Sequence, residues 1–209
     1  MSNPYQGTKD FESALCEYTG APYAVAVNSC TAALMLACEW QSSKRFAGVS
    51  LSGALLVARI PRKTYVSVPQ AIMRAGILVD WSDEEWRGAY QLKPLPVWDC
   101  ARRFTSGMYV PGQFQCVSFS ASKILAAEQG GAILHDDQKA DAWFRRMRFD
   151  GRTEGVDPMD DSFDLVGHHC LMLPSVAATL LLRLYHLPKH NEDLPMREYP
   201  DLSKHTAFK

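Results

Sequence analysis

No run of apolar residues in this chain approaches the roughly 20 that a membrane-crossing helix needs. Neither sign of charge dominates: 22 Lys and Arg stand against 23 Asp and Glu, a formal net charge of −1. That balance argues against a general nucleic-acid or membrane-surface binder. The six cysteines (Cys16, Cys30, Cys38, Cys100, Cys116, Cys170) contain no CxxC pair and no regular spacing. Most stand in apolar surroundings, as Cys38 does in LMLACEW, and are expected as small buried residues in a reducing compartment. The six histidines include the doublet His168-His169, but no second His or Cys cluster lies at ligand spacing, so no metal site is expected. The opening decapeptide is polar and lacks a signal-peptide core, and there is no internal repeat; the expectation is a cytoplasmic protein.

What the chain does have is ordinary globular composition, 209 residues with 47% hydrophobic and 22% charged, enough to bury a core in one domain. Phe11, Ala14, Leu15 and Tyr18 recur at helical spacing and stop at Gly20. Tyr23–Val27 follows as a buried strand, then the capping pair Asn28-Ser29 and a helical run from Thr31 to Ala37. Strand, polar cap and helix in succession open an α/β unit. A second unit is expected from a strand at Leu55–Ala58 through Pro61–Tyr65 into a helix over Ser67–Ala75. Further strands are expected at Ile77–Val79, Pro96–Trp98, Gln115–Phe119 and Gly131–Leu134, with Trp81–Leu95 irregular. Helices are expected at Lys139–Phe149 and at the leucine-rich Ser175–His186. The division predicted is one α/β domain over 1–187, followed by an extended arm or partly ordered tail over 188–209.

Three places could carry chemistry, and two further features could bear on the substrate. The turn Asn28-Ser-Cys-Thr-Ala-Ala-Leu34 is either a plain helix cap or an anion site, because first-turn N–H groups lack carbonyl partners and the helix dipole favours negative charge. Lys123, in Ser118-Phe-Ser-Ala-Ser-Lys123 before Gly130-Gly131, is either a solvated loop lysine or an amine at the end of the sheet, able to form a Schiff base. Asp99, closing the strand Pro96-Val-Trp98, is either a turn former or a charge aimed into a cleft. Arg145, Arg146, Arg148 and Arg152 form a cluster that suits either a phosphate clamp or a solvated helix face. Trp81, Trp86 and Tyr90 suit either a stacking wall or the anchor of a short loop.

Taken in order, Asn28-Ser-Cys-Thr-Ala-Ala-Leu34, Lys63-Thr-Tyr-Val-Ser67, Asp99-Cys-Ala101 and Ser118-Phe-x-x-x-Lys123 with its following Gly-Gly resemble the DegT/StrS-type sugar-nucleotide aminotransferases. The resemblance runs from about Phe11 to Leu187. It implies a three-layer α/β fold of the fold-type-I class, a large domain with a mainly parallel central sheet, shortened by loss of the C-terminal small domain. It also implies pyridoxal 5′-phosphate (PLP) as cofactor. By that resemblance Thr31 and Ala32 with Ser118 hold the phosphate, Tyr65 stacks on the pyridine ring, and Asp99 pairs with the ring nitrogen. Lys123 becomes the Schiff-base lysine and proton shuttle. The implied reaction moves an amino group from an amino acid such as glutamate to a keto-sugar nucleotide, in a homodimer.

Departures accompany the resemblance. Arg102 stands where the family has His or Gln near the cofactor's phenolic oxygen. Glu128-Gln-Gly-Gly131 replaces Gly-Glu-Gly-Gly. Gly167-His-His-Cys-Leu171 replaces Gly-x-Asn-x-Arg, which puts His169 where an Asn reaches the partner subunit's cofactor. Two alternatives follow: a PLP enzyme acting on another acceptor such as a modified nucleic-acid base, or a non-catalytic PLP-binding relative.

Overall fold

The computed structural model describes residues 5–46 and 55–208. Helix α1 (Gln6–Thr19) buries Phe11 and Leu15 and ends at Gly20. Strand β1 (Tyr23–Val27) then enters the core, and α2 (Cys30–Phe46) leaves it. Next come β2 (Val57–Pro61), α3 (Ser67–Arg74) and β3 (Leu78–Ser82). The remaining strands are β4 (Tyr90–Gln91), β5 (Val97–Asp99), β6 (Phe114–Ser118) and β7 (Gly131–His135). Helices α4 (Gln138–Met147) and α5 (Pro174–Tyr185) complete the regular elements.

Five strands form one sheet in the order β1-β7-β6-β5-β4. Only the β5–β6 pairing is parallel; β7 runs against both β1 and β6, and β4 runs against β5. The sheet is therefore mixed, with β1, β5 and β6 pointing the same way. Strands β2 and β3 pair in parallel as a separate two-stranded sheet. Arg59 and Lys93 exchange backbone hydrogen bonds (2.7 and 3.1 Å), which stitches that sheet to the segment between β4 and β5.

Alternation along β1 divides the core into two. Val25 and Val27 face α2, α3 and α4, whereas Ala24 and Ala26 face α1 and α5. Helices thus cover both faces of the sheet, giving three layers. Strand β2 begins two residues later than the apolar run Leu55–Ala58 suggests. Leu55 and Val57 are exposed and the buried residues are Ala58, Ile60 and Pro61, because this strand has only one face on the core. The leucine-rich α5 lays Val176, Ala177, Leu180 and Leu184 against the core and leaves Leu182 and Tyr185 exposed.

The arginine cluster is neither a free clamp nor a solvated face. Arg148 is 1% exposed and lies between Glu12, the Glu154 carboxylate (2.7 Å) and the Ala26 carbonyl (2.7 Å). Arg145 spans Glu12 (2.7 Å) and Asp141 (2.8 Å), Arg146 pairs with Asp164, and Arg152 stands over the Phe149 ring, 3.9 Å from Asp161. The chain's own carboxylates consume all four charges, tying α4 to α1 and to the loop after it.

Beyond α5 the chain runs extended and returns across the carboxyl ends of β5 and β6. Tyr18 donates its hydroxyl to the Pro188 carbonyl (2.5 Å), and the Ser106 amide binds the Lys189 carbonyl (2.8 Å). Arg103 grips Asp193 through Nε and Nη2 at 2.6–3.1 Å. The Leu194 amide donates to the Arg102 carbonyl (2.9 Å), and the Gly88 amide donates to the Leu194 carbonyl (3.2 Å). Gly88 is obligatory there: at φ 68°, a Cβ would lie 2.1 Å from the Asp193 carboxyl group. Two short 3-10 turns, Leu202–Lys204 and Thr206–Phe208, finish the arm, with Leu202 buried and Phe208 edge-on to Trp81.

Candidate active site

Three backbone ends converge on one cavity of about 370 Å³, the usual size for a small-molecule site. Its walls come from the start of α2 (Asn28–Thr31), the ends of β5 and β6 (Asp99, Ser118), the loop carrying Lys123, and the segment Thr64–Val68. Ligands bind at the carboxyl ends of strands in α/β folds because the loops there can converge without disturbing the core.

The turn into α2 is built as a cap. Ser29 Oγ accepts from the Ala32 amide (3.1 Å), so the Ala32 amide is engaged within the turn and its side chain is buried. Ala32 does not line the cavity, and Thr31 does. Thr31 Oγ1 lies 2.7 Å from Ser67 Oγ, and Ser118 also faces the cavity, so hydroxyls gather around the positive end of the helix. Gly131 allows this closeness, since a Cβ there would stand 2.4 Å from the Cys30 nitrogen.

Asp99 is 4% exposed. Its Oδ1 accepts from the Ala101 amide (2.9 Å) and its Oδ2 from the Tyr90 hydroxyl (2.9 Å), and that hydroxyl lies 2.5 Å from Thr64 Oγ1. Tyr90 is thereby a buried support for Asp99 and not a stacking surface. Burial raises the Asp99 carboxyl above its ordinary range, against the lowering pull of these hydrogen bonds and of Lys123. A cationic partner would complete this environment. Burial lowers the Lys123 ammonium below its usual 10.5, with Cys30 and Asp99 acting to raise it and Arg102 and Arg197 to lower it. That shift makes Lys123 a better amine near neutral pH than a solvated lysine.

Arg102 is 6% exposed; its Nε donates to the Pro195 carbonyl of the arm, while its Nη1 is buried without a hydrogen-bond partner. Tyr65 lines the cavity and is half open to solvent, with its ring edge-on to Tyr199 at 6.3 Å. Trp86 lies parallel to Tyr199 at 6.4 Å and donates Nε1–H to the Lys63 carbonyl. The three aromatics of the 81–90 segment are therefore split: Trp86 lines the site, Tyr90 supports Asp99, and Trp81 packs on the arm. His169 is outside this cavity, exposed, and paired with Asp150 at 2.9 Å.

Sequence reasoning missed Arg197 and Tyr199, which the arm carries into the cavity. No local motif marks them, because their position depends on the strap tied by Arg103 to Asp193, by Gly88 to Leu194, and by Arg62 to Asp201 (3.6 Å) and the Leu202 amide (3.0 Å). The roles of Thr64 and Ser67 were visible only as neighbours of Tyr65 in Lys63-Thr-Tyr-Val-Ser67.

The residues fit PLP. Hydroxyls and a helix N-terminus suit a phosphate, a buried carboxylate suits a ring nitrogen, an amine of lowered basicity suits a carbonyl, and the unpaired Arg102 Nη1 suits an oxygen anion.

An α/β sheet with an amine, a buried acid and the hydroxyl-lined start of a helix at its carboxyl edge has the architecture of a fold-type-I large domain. The sequence profile of the DegT/DnrJ/EryC1/StrS aminotransferase family matches residues 1–87 and 107–194, and the chain belongs to that family. The family implies dependence on PLP. The match skips 88–106, which contains Asp99 and Arg102, and stops short of Arg197 and Tyr199. No curated protein matches the chain. Among solved structures, the fold is similar to the sugar aminotransferase CalS13 from Micromonospora echinospora, at 18% identity and TM-score 0.70, over 87% of this chain and 60% of that one. PseC from Helicobacter pylori, an aminotransferase involved in the biosynthesis of pseudoaminic acid, matches at 16% identity and TM-score 0.70, over 88% and 58%. DesV of S. venezuelae, solved with a ketimine intermediate, matches at 19% identity and TM-score 0.65, over 87% and 57%. The chain thus spans less than two thirds of the length of these structures.

Proposed function

We propose that this chain binds PLP and acts as an aminotransferase, moving the amino group of an amino acid, glutamate first among candidates, to a keto-sugar nucleotide. The observation that carries this reading is the convergence of Lys123, buried Asp99 and the hydroxyl-lined start of α2 on one cavity. Bound there, the cofactor supplies a carbonyl that captures amines and a ring that takes up the electron pair left on the substrate carbon. Asp99 holds the ring nitrogen protonated, and the Thr64–Tyr90–Asp99 hydrogen bonds hold Asp99 in place. Lys123 anchors the cofactor and then carries the proton to and from the substrate carbon. Thr31, Ser67 and Ser118 bind the phosphate, with Ala32 buttressing the turn through its amide. Arg102 donates to the phenolic oxygen, and Tyr65 covers the ring.

We further read the working form as a homodimer. Leu182 and Tyr185 on α5, at 64% and 84% exposure, support this, and His169 would then face the partner's site. The arginines that would favour a nucleic-acid acceptor are held by the chain's own carboxylates, which supports a small-molecule acceptor. Intact Lys123 and Asp99 in one cavity support catalysis over passive binding. The test is the visible absorbance of the protein after adding PLP. Wild type is expected to develop a band that glutamate bleaches, and Lys123→Ala is expected to develop none. A wild-type protein with no band overturns the reading.

A further inference from the structure

The cavity holds three cationic side chains, Lys123, Arg102 and Arg197, against the acidic Asp99 and Glu128. Asp99 is already engaged by Tyr90 and Ala101. Arg197 is exposed at the mouth, and among the described residues no carboxylate pairs with it. Arg102 is nine-tenths buried and keeps Nη1 unpartnered. That nitrogen is the donor to the cofactor's phenolic oxygen, which leaves the guanidinium of Arg197 as the cavity's cation with no anion to meet. The phosphate-binding hydroxyls lie elsewhere, around the start of α2, so Arg197 offers a second anion site within the same cavity.

We propose that Arg197, delivered by the C-terminal arm, binds the α-carboxylate of the amino-acid donor. The proposal rests on the aminotransferase reading of the site. The reason for choosing that anion is position. An α-amino acid reacts through its amine where Lys123 works, and its carboxylate sits on the carbon that bears that amine. A cation beside Lys123 meets this group, whereas the diphosphate of a nucleotide lies many bonds from the reacting carbon. Arg197 also explains the strap: the hydrogen bonds at Pro188, Lys189 and Leu194 and the Arg103–Asp193 pair fix the arm across the site. The arm thereby gives the cavity a substrate-binding wall that the sheet does not provide.

The test compares wild type, Arg197→Gln and Arg197→Lys in the PLP-treated protein. Glutamate, n-butylamine and a nucleoside diphosphate are each titrated, with binding heat and visible absorbance read together. Loss of a charged hydrogen-bonding partner is expected to weaken glutamate binding roughly 10- to 100-fold in Arg197→Gln. Butylamine, which lacks the carboxylate, is expected to be unaffected, and Arg197→Lys is expected to fall between. Equal glutamate affinity in wild type and Arg197→Gln overturns the proposal. So does a loss confined to the nucleoside diphosphate, and so does an equal loss for butylamine, which would mark a merely structural arm. If wild type forms no visible band, the cofactor reading fails, and the calorimetric comparison of glutamate still decides the role of Arg197.

Discussion

The two halves of the cavity are built by different means. Asp99, Ser118 and Thr31 sit where the sheet and α2 end, so the packing that buries the core also positions them. Arg197 and Tyr199 sit on a chain with no sheet or α-helix of its own, positioned by edge hydrogen bonds, the buried Leu202 and the ion pairs Arg103–Asp193 and Arg62–Asp201. Loss of the first half is expected to take the fold with it. The second is expected to lift away with the fold intact, which would make the arm's wall of the cavity separable from the sheet's.

The largest effect is expected where the core half is tied together. Arg148 is buried between Glu12 and Glu154, and removing one partner of such a pair leaves an uncompensated buried charge. Arg148→Ala is expected to cost about 3–5 kcal/mol in chemical denaturation, with cofactor binding and arm docking lost in one transition. Next comes His135, fully buried on β7, stacked near Tyr23 and Phe114 and with neither ring nitrogen hydrogen-bonded. Burial holds its pKa down at about 4, against 6.5 in an unfolded chain. Between these values the unfolded chain binds the extra proton, so stability falls as pH drops from 6.5 towards 4, by up to about 3 kcal/mol. His135→Phe is expected to flatten that acid limb in denaturation curves taken from pH 7 to pH 4. A limb of unchanged slope would show that another group drives it.

The arm answers to smaller changes. Arg103→Ala removes the grip on Asp193, and Gly88→Ala drives a methyl into the same carboxyl group. Arg103→Ala is expected to cost about 1 kcal/mol, as a partly exposed pair does. In both variants, proteolysis beyond residue 187 should speed up while PLP still gives its visible band. If the band is lost with the arm, the two halves are not separable and the comparison fails.

The same contrast explains what the sequence made legible. Strand β1 was read to the residue, because Tyr23–Val27 is a short apolar run between Gly20 and the capping pair Asn28-Ser29. Thr31, Asp99, Ser118 and Lys123 were found because each lies within a few residues of an element end, where local signals are strong. Strand β2 was misplaced because Leu55 and Val57 are apolar yet exposed. Tyr90 is buried as an anchor, but its support of Asp99 was not legible because Asp99 lies across the β4–β5 pairing, not beside it in sequence. The four arginines were misread because Glu12, which meets two of them, is more than 130 residues away. Arg197 and Tyr199 owe their place to contacts of the arm with Arg103, Arg102, Gly88 and Arg62, 90 to 140 positions earlier, and no periodicity or turn signal encodes such a strap.

The finest test sets one charge from each half against the same amine. Lys123 must lose its proton before it can capture a carbonyl, so the rate at which the visible band grows should rise with pH through an inflection below 10.5. Asp99, on the sheet side, raises the Lys123 pKa; Arg197, on the arm, lowers it. Asp99→Asn removes the raising charge, and the inflection should move to lower pH. Arg197→Gln removes the lowering charge, and it should move to higher pH. Each shift is expected to be less than about one pH unit, since part of the coupling is screened by water at the open mouth. The signs carry the test, not the sizes. Opposite shifts mean that sheet and arm act on one lysine from two sides, and an unmoved inflection in Arg197→Gln would place the arm too far away to shape the chemistry.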